Sequence, residues 1–272
     1  MVVPTVGRAD YLEVTLRSLD AQELEAPYEV IVVDDGSTDR TSEVIAVAGI
    51  RAVRHPSRRG INVARNSGIR AARADLIAFV DDDVEAPPGW LKALVEGAAR
   101  HPDAEAFGGP IRPRLEGPAP RGCGRDSPLV TALDLGDEDR EAAHVWGANF
   151  AVRRSAIKRI GHIDESLRFY DEGDWLERLQ NAGGKVVYLS AAGLDHRRAD
   201  EDSRMRPLAR AAFALGRAAR ASDRRRGVEP GFARELRVLL GCCWHTLRRT
   251  CPRGLIKAAH SSGRVLETFT AR

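Results

Sequence analysis

The sequence predicts an α/β fold with a mainly parallel sheet flanked by helices. Short β-branched runs alternate with longer helical stretches along the chain, which is typical of βαβ units. Two apolar runs, 28–33 and 76–80, have the length of fully buried strands. Acidic residues follow both runs directly, at the edge where an open parallel sheet binds its ligands.

The first hundred residues predict strands and helices in alternation. The helix after an Asp10 cap carries Leu12 and Leu16 on one stripe, and Asp39 is predicted to cap the next helix. The full predicted order is a strand at 2–3, a helix from 10, a strand at 28–33, a helix from 39, a strand at 51–54, a helix at 62–72, a strand at 76–80 and a helix at 91–99.

The remainder of the chain changes in character twice. Residues 108–139 are rich in Pro, Gly and charge and are predicted to be an extended or loop-dominated crossing into a second subregion. Further elements are then predicted, namely a strand at 144–152, helices at 154–160 and 174–182, and a strand at 185–189. The last seventy residues repeat an apolar stripe among arginines, and they predict two basic amphipathic helices.

Charge divides the chain after residue 202. Residues 1–202 hold 26 Lys and Arg against 35 Asp and Glu, whereas residues 203–272 hold 16 against 4, a net charge of +12. A basic tail attracts nucleic acid, anionic lipid or acidic partners. This tail lacks interleaved aromatic residues, so we expect no nucleic acid, and a basic amphipathic helix suits an anionic membrane surface better. The alternative is that these helices pack on the rest of the chain and only expose their arginines.

Composition excludes several other classes. No run approaches the roughly 20 apolar residues of a spanning helix, and the first residues do not resemble a signal peptide. We therefore expect a cytoplasmic protein, with a peripheral position at the inner face of the cell membrane as a further expectation. The four cysteines lack zinc-site spacing and are expected to be free thiols.

Five carboxylates are predicted to share one rim of the sheet. Asp34 and Asp35 follow one buried strand, and Asp81, Asp82 and Asp83 follow another. So much negative charge needs compensation, and carboxylate oxygens favour Mg²⁺ or Mn²⁺. The pattern therefore indicates a metal held together with a phosphate, although these residues could also merely cap loops.

Four motifs in order carry a family resemblance. They are Val2-Val3-Pro4-Thr5, Asp34-Asp35-Gly36-Ser37-Thr38-Asp39, Gly60 with Ala64-Arg65-Asn66-Ser67-Gly68-Ile69, and Ala78-Phe79-Val80-Asp81-Asp82-Asp83. Together they resemble the family 2 glycosyltransferases, which have the GT-A fold. The resemblance implies a metal-dependent, inverting transfer of a sugar from a nucleotide-diphosphate donor to a saccharide or lipid-linked acceptor, in cell-surface polysaccharide or glycolipid synthesis.

The resemblance also implies a domain plan and a donor site. It implies a glycosyltransferase domain at 1–202, with a nucleotide-binding half at 1–110 and an acceptor half at 111–202, followed by the basic helical region at 203–272. Pro4 and Thr5 would lie beside the nucleotide, Asp35 would contact the base, and Arg65 would help to neutralise the ligand. Asp81, Asp82 and Asp83 would form the DxD motif, in which Asp83 holds Mn²⁺ or Mg²⁺, aided by Asp81 and by His196.

On the acceptor side the resemblance is looser. Trp146, Gly147 and Asn149 resemble an acceptor-binding strand. Asp171, Glu172 and Asp174 resemble the acidic motif that supplies the catalytic base, and Glu172 is our preferred base. Such a base would deprotonate the acceptor hydroxyl and give inversion in one displacement.

Two other classes of function remain open at this point. A sugar-phosphate nucleotidyltransferase would also bind a nucleotide and Mg²⁺ on an α/β sheet, but it needs a Gly-rich basic loop after the first strand, and residues 4–8 match that poorly. A non-enzymatic module could instead bind membrane or nucleic acid through the basic tail.

Overall fold

The computed structural model describes residues 1–118, 120–121, 131–167, 171–225, 227–228 and 231–270, with the side chains of Asp171 and Arg225 left out. The chain divides into two compact units. Residues 1–113 and 131–197 form the first unit, and residues 114–130 and 198–272 form the second.

The strands and helices of the described residues are as follows. The strands are β1 (Val2–Thr5), β2 (Ile31–Asp34), β3 (Arg51–Arg54), β4 (Leu76–Val80), β5 (Val84–Glu85), β6 (Ala104–Gly108), β7 (Ile111–Leu115), β8 (Arg140–Glu141), β9 (Asn149–Arg153), β10 (Lys185–Tyr188) and β11 (Leu194–Arg198). The helices are α1 (Ala9–Asp20), α2 (Thr41–Ala48), α3 (Ile61–Ala71), α4 (Trp90–Arg100), α5 (Arg154–Ile160), α6 (Asp171–Asn181), α7 (Met205–Arg225), α8 (Phe232–Arg249) and α9 (Pro252–Thr270).

The large sheet confirms the predicted fold class. Its strand order is β3-β2-β1-β4-β9-β6-β10-β8, and a smaller sheet has the order β5-β11-β7. Strands β3, β2, β1 and β4 are parallel, β9 runs antiparallel to both of its neighbours, and β10 is parallel to β6. The carboxyl ends of β1, β2 and β4 therefore meet at one edge.

Helices cover both faces of this sheet. Successive strand residues point to opposite faces, so Val3 belongs to an apolar cluster with residues of α1 and α4, and Val2 belongs to a second cluster with residues of α3 and α6. Both valines are fully buried, and each contributes roughly 1.5–3 kcal/mol of apolar burial. This explains why β1, β2 and β4 are mostly apolar and buried along their length, whereas β3, at the edge of the sheet, is largely exposed.

Several predicted elements match the structure closely, but the predicted cap of the first helix is wrong. The strands at 51–54 and 76–80 and the helix at 154–160 have the predicted bounds. The predicted Asp10 cap is wrong, because α1 begins at Ala9 and the Ala9 N–H donates to Asp39 Oδ2 at 3.0 Å. Asp39 also accepts the N–H of Thr41, the first residue of α2, so one carboxylate serves the starts of two helices.

The predicted strand from 144 needs correction, and two strands lie in or next to the segment 108–139, which was predicted to be extended or a loop. Residues 104–108 and 111–115 are strands, and the strand expected from 144 begins only at 149. Strand β11 was not predicted either. Strands β7 and β11 carry charged residues and, in β7, a proline, so their sequences have the composition of loops.

The second unit contains three helices among its described residues, where two were predicted. Thr250 adopts a left-handed backbone, φ 46°, which ends α8, and α9 begins at Pro252. Arg264 on α9 donates to Glu235 on α8 at 2.9 Å and to Asp223 on α7 at 2.6 Å. The pKa of Arg264 is raised, chiefly by its hydrogen bonds to Glu235. Some of the tail's charges therefore hold its own helices together.

None of the helices in the described ranges is both long enough and apolar enough to cross a membrane.

Candidate active site

The ends of β1 and β4 are joined by a buried side-chain hydrogen bond. Thr5 Oγ1 donates to Asp82 Oδ2 at 2.7 Å. Pro4 lies one residue earlier in β1, buried opposite Val33 of β2. These contacts fix the DxD turn directly against the first strand.

Arg8, just after β1, pairs with two of the three DxD carboxylates. Its terminal nitrogens lie 2.7 Å from Asp82 Oδ1 and 2.9 Å from Asp83 Oδ2. The guanidinium carbon also lies 4.3 Å from the centre of the Tyr11 ring, within cation–π range. Arg8 was not predicted as a site residue. The signal that could have identified it is a basic residue directly after a strand that ends at the same sheet edge as the acidic residues.

The small sheet brings His196 to the DxD turn. Strand β11 pairs antiparallel with β5, which places His196 opposite Val84, and His196 Nε2 lies 3.0 Å from Asp83 Oδ1. Asp81, Asp83 and His196 each offer a ligand atom, and these atoms lie within 4.8 Å of one another. Two carboxylates and one imidazole form a donor set that suits Mn²⁺ and, through its oxygens, Mg²⁺.

Crowding and burial shift the titration of this cluster. Burial raises the pKa of Asp82 to about 7. The charge of Arg8 opposes this shift, and the charge of Asp83 adds to it. Burial also raises the pKa of Asp81. Burial alone would lower the pKa of Arg8, but the charges of Asp82 and Asp83 outweigh it and raise that pKa. Ionising these carboxylates together is therefore unfavourable, and a bound divalent cation would offset that cost.

Asp35 anchors the loop that follows β3. Its Oδ1 lies 2.7 Å from His55 Nδ1 and accepts the Arg59 N–H at 2.9 Å, and its Oδ2 accepts the Gly60 N–H at 2.7 Å. Gly36 makes this possible, because at φ 83° it packs where a Cβ would lie 2.6 Å from the Ser57 carbonyl carbon. The predicted base contact of Asp35 stays a prediction, and it would use the oxygen lone pair that these bonds leave over.

Arg65 is buried between Asp81 of the acidic cluster and Glu172 of α6. Only 4% of this α3 residue is exposed. One terminal nitrogen lies 3.5 Å from Asp81 Oδ1 and the other 3.5 Å from Glu172 Oε2. Gly147 provides the space for it, since a Cβ there would lie 2.2 Å from the Arg65 guanidinium.

The predicted acids at the start of α6 occupy different surroundings. Glu172 is largely buried, and its Oε1 accepts the Gly147 N–H at 3.3 Å. Asp174 is 41% exposed and pairs with Arg178 at 3.0 Å, so the structure places it on the surface rather than beside Arg65. The side chain of Asp171 lies outside the described residues. Of the two acids whose side chains the structure describes, Glu172 lies beside Arg65 and Asp174 does not.

Two asparagines on α3 hold the segment that leads to α6. Asn62 Nδ2 donates to the Leu167 carbonyl at 2.7 Å. Asn66 donates to the Ile163 carbonyl at 2.8 Å and accepts the Ile163 N–H at 3.1 Å. Arg65 lies between them in sequence, so the helix that carries the guanidinium also fixes the segment before Glu172.

The predicted acceptor-binding residues do not all face the site. Asn149 is 1% exposed and its amide is fully used. It accepts from Trp90 Nε1 at 3.1 Å and donates to Ala192 and Pro110 carbonyls at 2.8 and 3.2 Å. The structure thus gives the Asn149 amide partners within the core, and its predicted contact with the acceptor stays a prediction. Trp146 is half-buried, with its ring edge-on to His144 at 4.5 Å.

Comparison with known proteins agrees with this geometry. Residues 1–161 match Glycosyl transferase family 2. The fold and the acidic site define a GT-A glycosyltransferase domain, and the chain belongs to glycosyl transferase family 2.

Curated relatives extend the match beyond the family region. The pre-mycofactocin glycosyltransferase of Mycobacterium tuberculosis is 32% identical over 229 residues, which cover 80% of this chain and 46% of the relative. The N-acetylglucosaminyl-diphospho-decaprenol L-rhamnosyltransferase of the same species is 29% identical over 244 residues, covering 75% of this chain and 77% of the relative. The chain thus spans about half the length of the first of these relatives.

Solved structures show the fold. The mannosyltransferase PcManGT from Pyrobaculum calidifontis, in complex with GDP-Man and Mn²⁺, matches with a TM-score of 0.63 and 17% identity, over 97% of this chain and 68% of that one. GalNAc-T7 with UDP, GalNAc and Mn²⁺ matches with a TM-score of 0.58 and 16% identity, over 77% and 46%.

Proposed function

We propose that this protein transfers a sugar from a nucleotide-diphosphate donor to a hydroxyl of a saccharide or lipid-linked acceptor, with inversion at the anomeric carbon. The observation that carries the proposal is the position of Arg65, which lies 3.5 Å from Asp81 of the acidic cluster and 3.5 Å from Glu172. One buried side chain thereby links a site for a metal-bound diphosphate to a carboxylate suited to general base catalysis.

Asp81, Asp83 and His196 would hold the divalent cation, as Mn²⁺ or Mg²⁺. Bound there, the cation would neutralise the charge that develops on the departing nucleoside diphosphate. Arg8 lies against the same carboxylates and provides a further positive charge at the edge of the site. These groups act on the leaving side of the reaction.

Glu172 acts on the opposite side as the base. Its carboxylate takes the proton of the acceptor hydroxyl while the hydroxyl oxygen attacks the anomeric carbon, and the bond from that carbon to the diphosphate oxygen breaks. Attack opposite the leaving group inverts the configuration. Arg65 and the Gly147 N–H hold the Glu172 carboxylate in place.

The names of two proteins support the choice of substrates. PcManGT was solved with GDP-Man, a nucleotide sugar, and the mycobacterial rhamnosyltransferase is named for a decaprenol-linked acceptor. A lipid-linked acceptor in cell-surface glycan synthesis is consistent with both.

A product assay tests the proposal. The protein is incubated with UDP-, GDP-, dTDP- and CDP-linked sugars, Mn²⁺ and a polyprenyl-linked saccharide as the acceptor, and the released nucleotide and the extended acceptor are identified by chromatography. We expect nucleoside diphosphate from one donor, abolished by EDTA and by Asp83→Asn and retained by Asp174→Asn. Release that survives both EDTA and Asp83→Asn would overturn the proposal. So would conversion of the nucleotide sugar and added pyrophosphate into a nucleoside triphosphate and a sugar 1-phosphate, which is the reaction of a nucleotidyltransferase.

A further inference from the structure

Helix α8 exposes an apolar face that its own unit does not cover. Leu240, Trp244 and Leu247 follow one another at spacings of four and three residues, so they lie on one face of the helix. They are 59%, 62% and 76% exposed, respectively. Three large exposed side chains on one helix face are unusual for surface that only meets water.

The opposite face of α8 fixes the orientation of this helix. Glu235 is 4% exposed and accepts hydrogen bonds from Arg264 of α9, and Cys242 lies 3.9 Å from the Ser261 hydroxyl. The helix therefore cannot rotate to bury its apolar face without breaking a buried ion pair.

Basic residues flank the same face. Arg237 lies three residues before Leu240, and Arg248 lies four residues after Trp244, so both are beside the apolar stripe. Both arginines are exposed. Phe232 extends the apolar surface to the next helix, because its ring lies 5.3 Å from the ring of Phe269.

We propose that the apolar face of α8 binds the surface of an anionic lipid bilayer. Leucine and tryptophan side chains enter the boundary between headgroups and acyl chains, and flanking arginines pair with anionic headgroups. The net charge of +12 over residues 203–272 supplies the attraction toward such a surface. The helix lies along the membrane rather than across it.

Charge favours a bilayer over a second copy of this chain. In a two-fold dimer the same surface of both copies forms the interface. A dimer through this face would therefore bring Arg237 and Arg248 of one copy close to those of the other. Like charges facing each other in an interface oppose association, whereas anionic lipids neutralise them. This inference rests on the second unit alone and does not depend on the proposed transferase activity.

Vesicle sedimentation tests the proposal directly. The full chain is mixed with vesicles of phosphatidylcholine alone or with added phosphatidylglycerol. We expect binding to the anionic vesicles only, weakened by high salt, and reduced at least about tenfold when Leu240, Trp244 and Leu247 are all changed to serine. Val47→Ser is the matched control, because Val47 is 91% exposed on α2, and it should bind as the unsubstituted protein does.

Variants with smaller changes keep the test decisive if the triple variant folds poorly. Arg237→Gln with Arg248→Gln should weaken binding to anionic vesicles, and Lys92→Gln, at an exposed position on α4, should not. The tryptophan emission of the intact protein should shift to the blue when anionic vesicles are added, and Trp244→Phe should remove that shift while retaining binding.

Three results would overturn the proposal. The first is equal recovery with neutral and anionic vesicles, and the second is binding that the triple variant leaves unchanged. The third is a dimer in light scattering that Trp244→Phe or the triple variant dissociates, which would assign the face to a second copy of the chain.

Discussion

The Arg65 guanidinium lies 3.5 Å from the Glu172 carboxylate, and both side chains are largely buried. The second terminal nitrogen of Arg65 lies equally far from Asp81, so one planar cation joins the end of β4 to the start of α6. A bridge of this kind needs two separated donors in a fixed plane, which arginine provides and lysine does not.

Arg65→Lys should lower kcat by about 100-fold or more, because a lysine ammonium cannot face both carboxylates. Steady-state kinetics with the preferred donor measures the effect. Arg70→Lys is the control on the same helix, since Arg70 is 53% exposed and should tolerate the change. Equal activity of the two variants would remove Arg65 from the site.

Glu172→Gln should lower kcat by about 10²–10⁴-fold, because the amide cannot accept the acceptor's proton. Donor binding, measured by calorimetry, should persist, since Glu172 lies on the acceptor side. Asp174→Asn should retain nearly full activity, because Asp174 pairs with Arg178 at the surface. The reverse pattern would move the base from Glu172 to Asp174.

Gly147→Ala should disturb the site without removing any functional group. The added Cβ would lie 2.2 Å from the Arg65 guanidinium, so either the Arg65 side chain or the backbone just before β9 must move. We expect a loss of about 1–3 kcal/mol of unfolding free energy, measured by urea denaturation, together with reduced turnover. Gly89→Ala is the control, because nothing lies within 4 Å of a Cβ at that position, and a similar loss there would contradict the steric argument.

Asp139 should make stability depend on pH in the acid range. Burial would raise the pKa of Asp139, but the hydrogen bonds from Arg100, Ser190 and His101 outweigh it and lower the pKa to about 2. A lowered pKa in the folded state stabilises the protein above the unfolded value near 4, and this contribution disappears as the pH falls to about 2.

Asp139→Asn should therefore cost about 1–2 kcal/mol of unfolding free energy at pH 7 and almost nothing near pH 2. Denaturation curves of both proteins across this range measure the difference. Asp103→Asn is the control, since the Asp103–Lys185 pair lies at the surface and should change stability little. A cost for Asp139→Asn that stays constant with pH would contradict the assignment.

The sequence predicted the parallel half of the sheet well, because buried parallel strands such as 76–80 are continuous apolar runs bounded by acidic turns. The predicted group of acids at that edge followed from the same pattern. Strand β11 was missed because it carries Asp195, His196 and two arginines, residues that belong to the site and its surroundings rather than to a typical strand.

Side-chain partners were the least predictable feature. Asn149 was expected at the acceptor, yet its amide is used within the core by groups that are distant in sequence. Arg65 was expected only to neutralise the ligand, and its link to Glu172 depends on Gly147 approaching α3. Contacts between residues a hundred positions apart leave no periodic signal in the sequence.

We propose that Asp81, Asp83 and His196 hold a divalent cation together with a nucleotide sugar. Thermal unfolding with the UDP-, GDP-, dTDP- and CDP-linked sugars, each with and without Mn²⁺, tests it most directly. We predict that one nucleotide raises the unfolding temperature only when Mn²⁺ is present, and that Asp83→Ala abolishes this shift. Stabilisation that is independent of Mn²⁺, or that persists in Asp83→Ala, would contradict the proposed cation site.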